Sequence, residues 1–370
     1  MADTLGFREM PEHFQLPHFN TLPTTSSIFL SRAPSAILWR SVILAAELAG
    51  AIAHGGEVWT MASPMPVGVA GFSHGILNDR IIVAGGTTWE GNRKVFLDRA
   101  WQFDPAGGTW SDLGTLPRPY AFGEFSALHN RLILVGGTDG RTTRSDMLEI
   151  PCNGKATAVA TLAHPLAYAG STSCGGLIYL LGGTSDIRNL RQTKSTLQAF
   201  YPNSGDTEIL PDFPGGPVIH AALVRLSDSL FVFPGGRVDP ATGAVMNSRA
   251  AWRYRIDRRQ WEPIAPYPFA TRGLAACILD DRHVLLAGGH RMSADGTNGS
   301  TDTCLIYDVA ANAYFLAPAL PYSAMLIGLE RFGERIYAFG GEDRPMHRAT
   351  TVCTAFVQQL LAALAGDPHP

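Results

Sequence analysis

Lysine is nearly absent from this chain of 370 residues: it occurs only at Lys94, Lys155 and Lys194, so 26 of the 29 basic residues are arginine. Charge as a whole is sparse, at 16% of residues, and the formal net charge is −3. That balance excludes the basic footprint of a nucleic-acid binder, so no nucleic-acid partner is expected. The five cysteines (Cys152, Cys174, Cys277, Cys304, Cys353) are scattered and form no C-x-x-C pair, which excludes a zinc ribbon and argues against a disulfide framework. Cys174 and Cys277 lie in small-residue apolar runs and read as buried free thiols. Long apolar runs are also missing. The stretch Ser41–Ala53 is too short to cross a bilayer as a helix, and no membrane span is expected.

Turn formers, by contrast, are abundant, with 39 Gly and 25 Pro, as in a chain full of tight connections. An apolar, β-rich run ending in Gly-Gly occurs six times: Ile81-Ile-Val-Ala-Gly85-Gly86, Leu132-Ile-Leu-Val-Gly136-Gly137, Ile178-Tyr-Leu-Leu-Gly182-Gly183, Leu230-Phe-Val-Phe-Pro-Gly235-Gly236, Val284-Leu-Leu-Ala-Gly288-Gly289 and Ile336-Tyr-Ala-Phe-Gly340-Gly341. The first glycines are 51, 46, 53, 53 and 52 residues apart. A small-residue strand precedes each pair, as in Val69-Ala-Gly-Phe-Ser and Leu274-Ala-Ala-Cys. Several pairs are followed by a third strand, an aromatic fourth at Trp110, Trp261 and Tyr314, and a Pro turn such as Leu116-Pro-Arg-Pro.

Four short strands per fifty-residue unit predict an all-β fold, a six-bladed kelch β-propeller spanning 57–358. The last unit supplies three strands, near 324–331, 335–340 and 350–357, and lacks a fourth. The spare strand Glu57-Val-Trp59-Thr-Met is expected to complete that blade and close the ring, leaving no open sheet edge. Residues 359–370 read as a C-terminal tail that begins in a short helix. Residues 1–56 hold no repeat. Arg40, the apolar run after it and Ala51-Ile52-Ala53 are similar to a signal-peptide core and cleavage site. A mature chain starting near His54, periplasmic or secreted, is one expectation. An amphipathic helix on a cytoplasmic protein is the other, since Glu47 interrupts the run.

In a four-stranded meander, the loops between strands two and three share a face with the blade-to-blade connections, and such loops carry function. Here they contain Arg93 and Lys94, Arg141 and Arg144, Arg188 and Arg191, Arg237, His290-Arg291, and Glu342-Asp343-Arg344-Pro345-Met346-His347-Arg348. Arginine in every loop predicts a cationic mouth for an anionic ligand, above all a carboxylate. Singly, each of these arginines also reads as ordinary soluble surface, and GC-rich coding is the alternative reading of the excess. In the sixth loop, Glu342 could move a proton while Arg348 grips a carboxylate; a structural ion pair pinning the loop is the alternative.

These motifs resemble the bacterial kelch-type N-acetylneuraminate epimerases (sialic acid mutarotases), in particular their cyclically permuted branch. The resemblance covers 57–358 and rests on Gly68-Val-Ala-Gly71-Phe, Trp89-Glu-Gly-x-x-Lys94-Val, Gly136-Gly-Thr-Asp-Gly-Arg141 and above all Gly341-Glu342-x-Arg344-Pro345-x-x-Arg348. It implies an isomerase interconverting anomers of N-acetylneuraminate or a related acidic sugar, with Glu342 and Arg348 as the catalytic pair. Arg344, Arg93, Arg141, His347 and His290 are further candidate substrate contacts. No cofactor or metal is expected. The sequence departs from the family pattern at Thr87-Thr88, Met346 and Ala349. Two other function classes remain in view. One is a non-catalytic kelch module binding a glycan or protein. The other is a glycosidase, which needs two carboxylates and would have to recruit Glu90 or Glu124.

Overall fold

The computed structural model describes residues 58–364 except 129, 152–154 and 293–295; the leader reading of 1–56 lies outside them. The described chain builds six four-stranded antiparallel sheets. Strand order in the first is Ser73–Leu77, Arg80–Ala84, Arg99–Asp104 and Thr109–Thr115. The next four sheets repeat this meander, with innermost strands Glu124–Leu128, Ala167–Cys174, Ala222–Leu226 and Ala275–Ile278. The sixth runs Gly328–Phe332, Arg335–Phe339, Val352–Phe356 and then Thr60–Met61 from the start of the described chain. Its innermost strand begins at Gly328, later than the sequence suggests, because 324–327 serves as the connection into the sheet. Innermost strands touch their neighbours in cyclic order, the sixth meeting the first.

The apolar runs before each Gly-Gly are the second strands, buried on both faces between sheets, as at Ile82, Leu134, Leu180, Leu230, Leu285 and Ile336. Tight turns suit the hairpins: Asn78 and Asp79 both adopt positive φ, the twist that a two-residue hairpin needs.

Two recurring contacts join one sheet to the next. The first is at Gly-Gly. A Cβ on Gly85 would fall 2.0 Å from the carbonyl oxygen of Tyr120 in the following blade, and the amide of Gly86 donates to that same oxygen at 2.7 Å. Gly137 donates likewise to Leu166, Gly289 to Ala324 and Gly341 to Val69, the last joining blade six to blade one. The second contact uses the aromatic fourth strands. The indoles of Trp59, Trp110 and Trp261 donate to the carbonyls of Pro318, Ser63 and Pro211, and the Tyr314 hydroxyl to Ala265. Each acceptor lies at the end of the preceding blade or in the turn after it. Trp59 is almost fully buried, so the short outer strand Thr60–Met61 is anchored by packing as much as by its ladder.

The chain then turns into a helix, Val357–Ala362, whose Val357 and Leu360 enter the core of blades five and six. No helix among the described residues is long and apolar enough to cross a membrane.

The Gly-Gly joint makes a directional prediction. Gly136 has φ +62 and its Cβ would lie 2.2 Å from the Leu166 carbonyl oxygen, whereas Gly175 has φ +58 with nothing within 4 Å. Gly175→Ala should lose only the left-handed penalty of about 1–2 kcal/mol, and Gly136→Ala about 2–5 kcal/mol once the clash is added. Equal losses in denaturant melts of the two variants would refute the joint.

Candidate functional site

The backbone entering each innermost strand turns through a left-handed residue: Gly71, Phe122, Tyr168, His220, Gly273 and Leu326, with φ between +51 and +63. Four of these are not glycine, an uncommon choice that marks a constrained site. Their amides and carbonyls link from blade to blade, Phe122 to Gly71, Tyr168 to Phe122, His220 to Tyr168 and Leu326 to Gly273, at 2.6–3.0 Å. Blades two to four thus present an aromatic half-ring. Phe122 and Tyr168 have ring centroids 4.8 Å apart, and Tyr168 and His220 are 4.6 Å apart. Burial, then Arg272 and Lys94, depress the His220 imidazole to about 3, so it is neutral at physiological pH.

On the loop face above this half-ring lies a charged cluster. Glu342 follows a Gly-Gly pair, and its backbone is held by paired hydrogen bonds with Met325 and by the Ser300 hydroxyl, which donates to its carbonyl. Arg348 is only 6% exposed; its Nη1 lies 3.0 Å from Glu342 Oε2 and donates to the His347 carbonyl at 2.8 Å. Its Nε is buried and has no partner. The Arg348 guanidinium sits 6.0 Å from the Trp89 ring, and the Trp89 indole N–H is a second buried donor without a partner. Trp89 stands directly opposite Lys94 across the hairpin Thr87–Glu90/Arg93–Phe96, which places the Lys94 ammonium 5.2 Å from the Phe122 ring. Burial and then Arg348 lower the Lys94 ammonium, and Glu342 acts the other way.

Arg272 completes the group. It pairs across strands with His290 and donates to Asn247 Oδ1 at 2.8 Å. Burial lowers its guanidinium while Glu342 raises it. The same balance holds for Arg348, which Asp343 also raises. His290 is lowered by burial and then by Arg272, and its Nδ1 is a third buried nitrogen without a partner. Of these three cations, Arg348 is the one that contacts the Glu342 carboxylate.

The structure brings Glu342, Arg348 and His290 into this cluster and leaves the other sequence candidates outside it. Arg93 pairs with Glu90 on the exposed hairpin tip, and Arg141 is exposed on its loop. Arg344 and His347 both turn to Asp343, at 3.7 and 2.6 Å. The expected cationic mouth is corrected in four of its six loops, where an arginine is spent on a local acid. Arg144 is paired with Asp139, and Arg188 with Asp186. A guanidinium two to five residues from an acid on the same turn finds it locally. Several stretches read as loops also form hairpins, Gly236–Val238 with Val245–Asn247 and His290–Met292 with Asn298–Ser300. Arg272 and the aromatic half-ring escaped the sequence reading, which had Lys94 as a loop and motif residue and Trp89 as part of the same motif, without a site role for either. Arg272 and His220 lie in connections between blades. Met346, where the resemblance expects glycine, has φ +55, which explains why glycine suits that position.

Below the half-ring, a cavity of about 500 Å³ runs along the innermost strands, bounded by Gly71, Phe122, His220, Gly273 and Leu326 at the mouth end. None of Glu342, Arg348, Lys94 and Arg272 lines it. Glu124 does, as do His74 and Glu330, which sit on adjacent innermost strands and pair at 2.7 Å.

Residues 68–117 match the kelch motif. The solved structure of YjhT superposes with a TM-score of 0.66 at 14% identity, over 79% of this chain and 96% of that one. The fold is a kelch propeller. Mouse Kelch-like protein 35 is 26% identical over 155 residues, 42% of this chain; the match spans a quarter of the mouse protein's length.

Burial raises the Glu124 carboxyl to about 8, with the Ser171 hydroxyl opposing weakly from 3.5 Å. Between the ordinary carboxylate range and pH 8, the unfolded chain releases a proton that the propeller keeps, so the contribution of this carboxyl to stability falls as pH rises. Glu124→Gln removes that loss. Its Tm advantage over wild type should be small at pH 4.5 and grow toward pH 8; a pH-independent difference would contradict the buried acid.

Proposed function

We propose that the propeller is a mutarotase for an acidic sugar, interconverting the anomers of N-acetylneuraminate or a related sugar acid at the Glu342–Arg348 cluster. The observation that carries this reading is Arg348: a buried guanidinium beside a carboxylate, with its Nε still lacking a partner. A charged donor so placed is costly to leave unpaired, and a ligand carboxylate would satisfy it in a bidentate way. The aromatic half-ring of Phe122, Tyr168 and His220 offers an apolar floor for the C–H face of a sugar ring. The resemblance of the Gly341–Arg348 loop to the epimerase family points to the same pair.

The chemistry asked of Glu342 is modest. Its carboxylate takes the proton of the anomeric hydroxyl, the bond from the anomeric carbon to the ring oxygen breaks, and the carbonyl forms. The protonated Glu342 returns that proton to the ring oxygen. Rotation of the open chain exposes the other carbonyl face, and the steps reverse to the second anomer. Nothing is oxidised and no group is lost. Such acid/base assistance typically contributes about 10²–10⁴-fold, while Arg348 holds the carboxylate so that the anomeric carbon stays over Glu342.

A second reading is the same mouth used for binding alone, without acceleration of anomer exchange. Two-dimensional exchange NMR on N-acetylneuraminate separates the two. The protein should speed anomer exchange above the spontaneous rate, Glu342→Gln should lower that gain by about 10²-fold or more, and Arg348→Ala should chiefly raise KM. No acceleration on any acidic sugar would end the mutarotase reading. Variants matching wild type would end the site assignment.

A further inference from the structure

Beside Glu342 lies a small sheet that the mutarotase chemistry leaves unused. Its three strands are Thr271–Arg272, His290–Met292 and Asn298–Ser300, paired in that order. Arg272 stands directly opposite His290, and His290 directly opposite Ser300. Cross-strand partners share a face, so the three side chains form one row, with a strand spacing of about 4.8 Å. The other face is already filled. It carries Thr271, almost fully buried, and Arg291, whose guanidinium lies 4.2 Å from the Phe269 ring.

The row is tied down at both ends. The Ser300 hydroxyl donates to the Glu342 carbonyl at 2.8 Å, and Arg272 Nη1 donates to Asn247 Oδ1 at 2.8 Å. All three side chains are half-buried. Between the anchors, His290 Nδ1 is buried without a partner, a position that is costly to leave unsatisfied. Burial and then Arg272 hold the imidazole toward its neutral form, in which one ring nitrogen donates and the other accepts. Ser300 Oγ, its proton given to Glu342, offers lone pairs, and Arg272 offers donors. A row that mixes donors and acceptors fits hydroxyl groups, each of which can do both; a second anion would meet the Ser300 lone pairs.

We infer that Ser300, His290 and Arg272 form a subsite for a polyhydroxyl arm, so that the preferred substrates are acidic sugars bearing such an arm beside the ring oxygen, and not uronic acids, which lack one. This rests on the mutarotase reading for the carboxylate at Arg348 and the anomeric hydroxyl at Glu342. In N-acetylneuraminate the anomeric carbon carries the carboxylate, and the ring oxygen joins it to the carbon that bears a three-carbon arm of hydroxyls. Carboxylate, anomeric centre and arm thus follow one another along the ligand. Arg348, Glu342 and the Ser300–His290–Arg272 row follow one another in the same order along the site.

Isothermal titration of the full chain with N-acetylneuraminate, and with its analogue whose arm is cut back to a single hydroxymethyl, reads the affinity ratio directly. Wild type should prefer the full arm by about tenfold or more, the worth of one or two hydrogen bonds in a half-buried site. His290→Leu should bring the ratio toward one, and His290→Asn should restore part of it. Arg272→Gln reads the same ratio should His290→Leu fail to fold. A wild-type ratio near one, or a wild-type ratio in both His290→Leu and Arg272→Gln, overturns the arm subsite; a loop merely loosened by substitution would weaken both sugars alike and give the second result. Exchange NMR on the same samples keeps the two claims apart. Accelerated anomer exchange with a ratio of one sinks this inference and spares the mutarotase. A tenfold ratio without accelerated exchange on either sugar does the reverse, and no binding of either sugar ends both.

Discussion

A carbonyl oxygen of one blade occupies the place where the first glycine of its neighbour's Gly-Gly pair would carry a side chain, and most of the architecture follows from that contact. At Gly85, Gly136 and Gly182 the gap left for a Cβ is 2.0–2.3 Å, so no larger residue fits without moving the next sheet. The second glycine donates to the same carbonyl in blades one, two, five and six. Each joint therefore fixes the spacing between two blades and satisfies a backbone acceptor that the turn would otherwise bury unpaired. The repetition of one local contact sets the ring, and the ring sets where the loops point.

The residue after each Gly-Gly pair is the first to leave this joint on the loop face, and it divides the ring in two. In blades one to three it is Thr87, Thr138 or Thr184, each fully buried, with a hydroxyl spent on nearby backbone or turn groups. In blades four to six it is Arg237, His290 or Glu342. Thus one half of the face is closed by small hydroxyls and the other carries chemistry, with Trp89 and Lys94 reaching across from the blade-one hairpin. The aromatic half-ring lies in blades two to four, partly opposite the charged residues. A sugar acid laid with its C–H face on the aromatic half and its carboxylate toward Arg348 would use both.

The fold was legible in the sequence because its determinants are local and repeated: Gly-Gly spacing, the buried runs before it, and the Trp and Pro of the outer strands. Even the closing strand could be read, since Trp59 had no blade of its own. The site was legible only in part. Glu342 and Arg348 share one short loop, so spacing and resemblance revealed them together. Arg272 lies in the short strand Thr271–Arg272 of the connection into blade five, where no local pattern marks it. The arginine-rich loops misled for a physical reason: Arg93, Arg144, Arg188 and Arg344 each have an acid within five residues, and short-range pairing wins over a shared ring-mouth role.

The central claim is that the mouth is a carboxylate site built on Arg348. A crystal structure of the protein with N-acetylneuraminate bound tests it most directly. The account predicts the sugar carboxylate within hydrogen-bond distance of Arg348 Nε and an Nη, the anomeric hydroxyl facing Glu342, and the ring over Phe122 and Tyr168. Ligand seated in the axial cavity beside Glu124, or on the outer loops with Arg348 Nε still unpartnered, would contradict it.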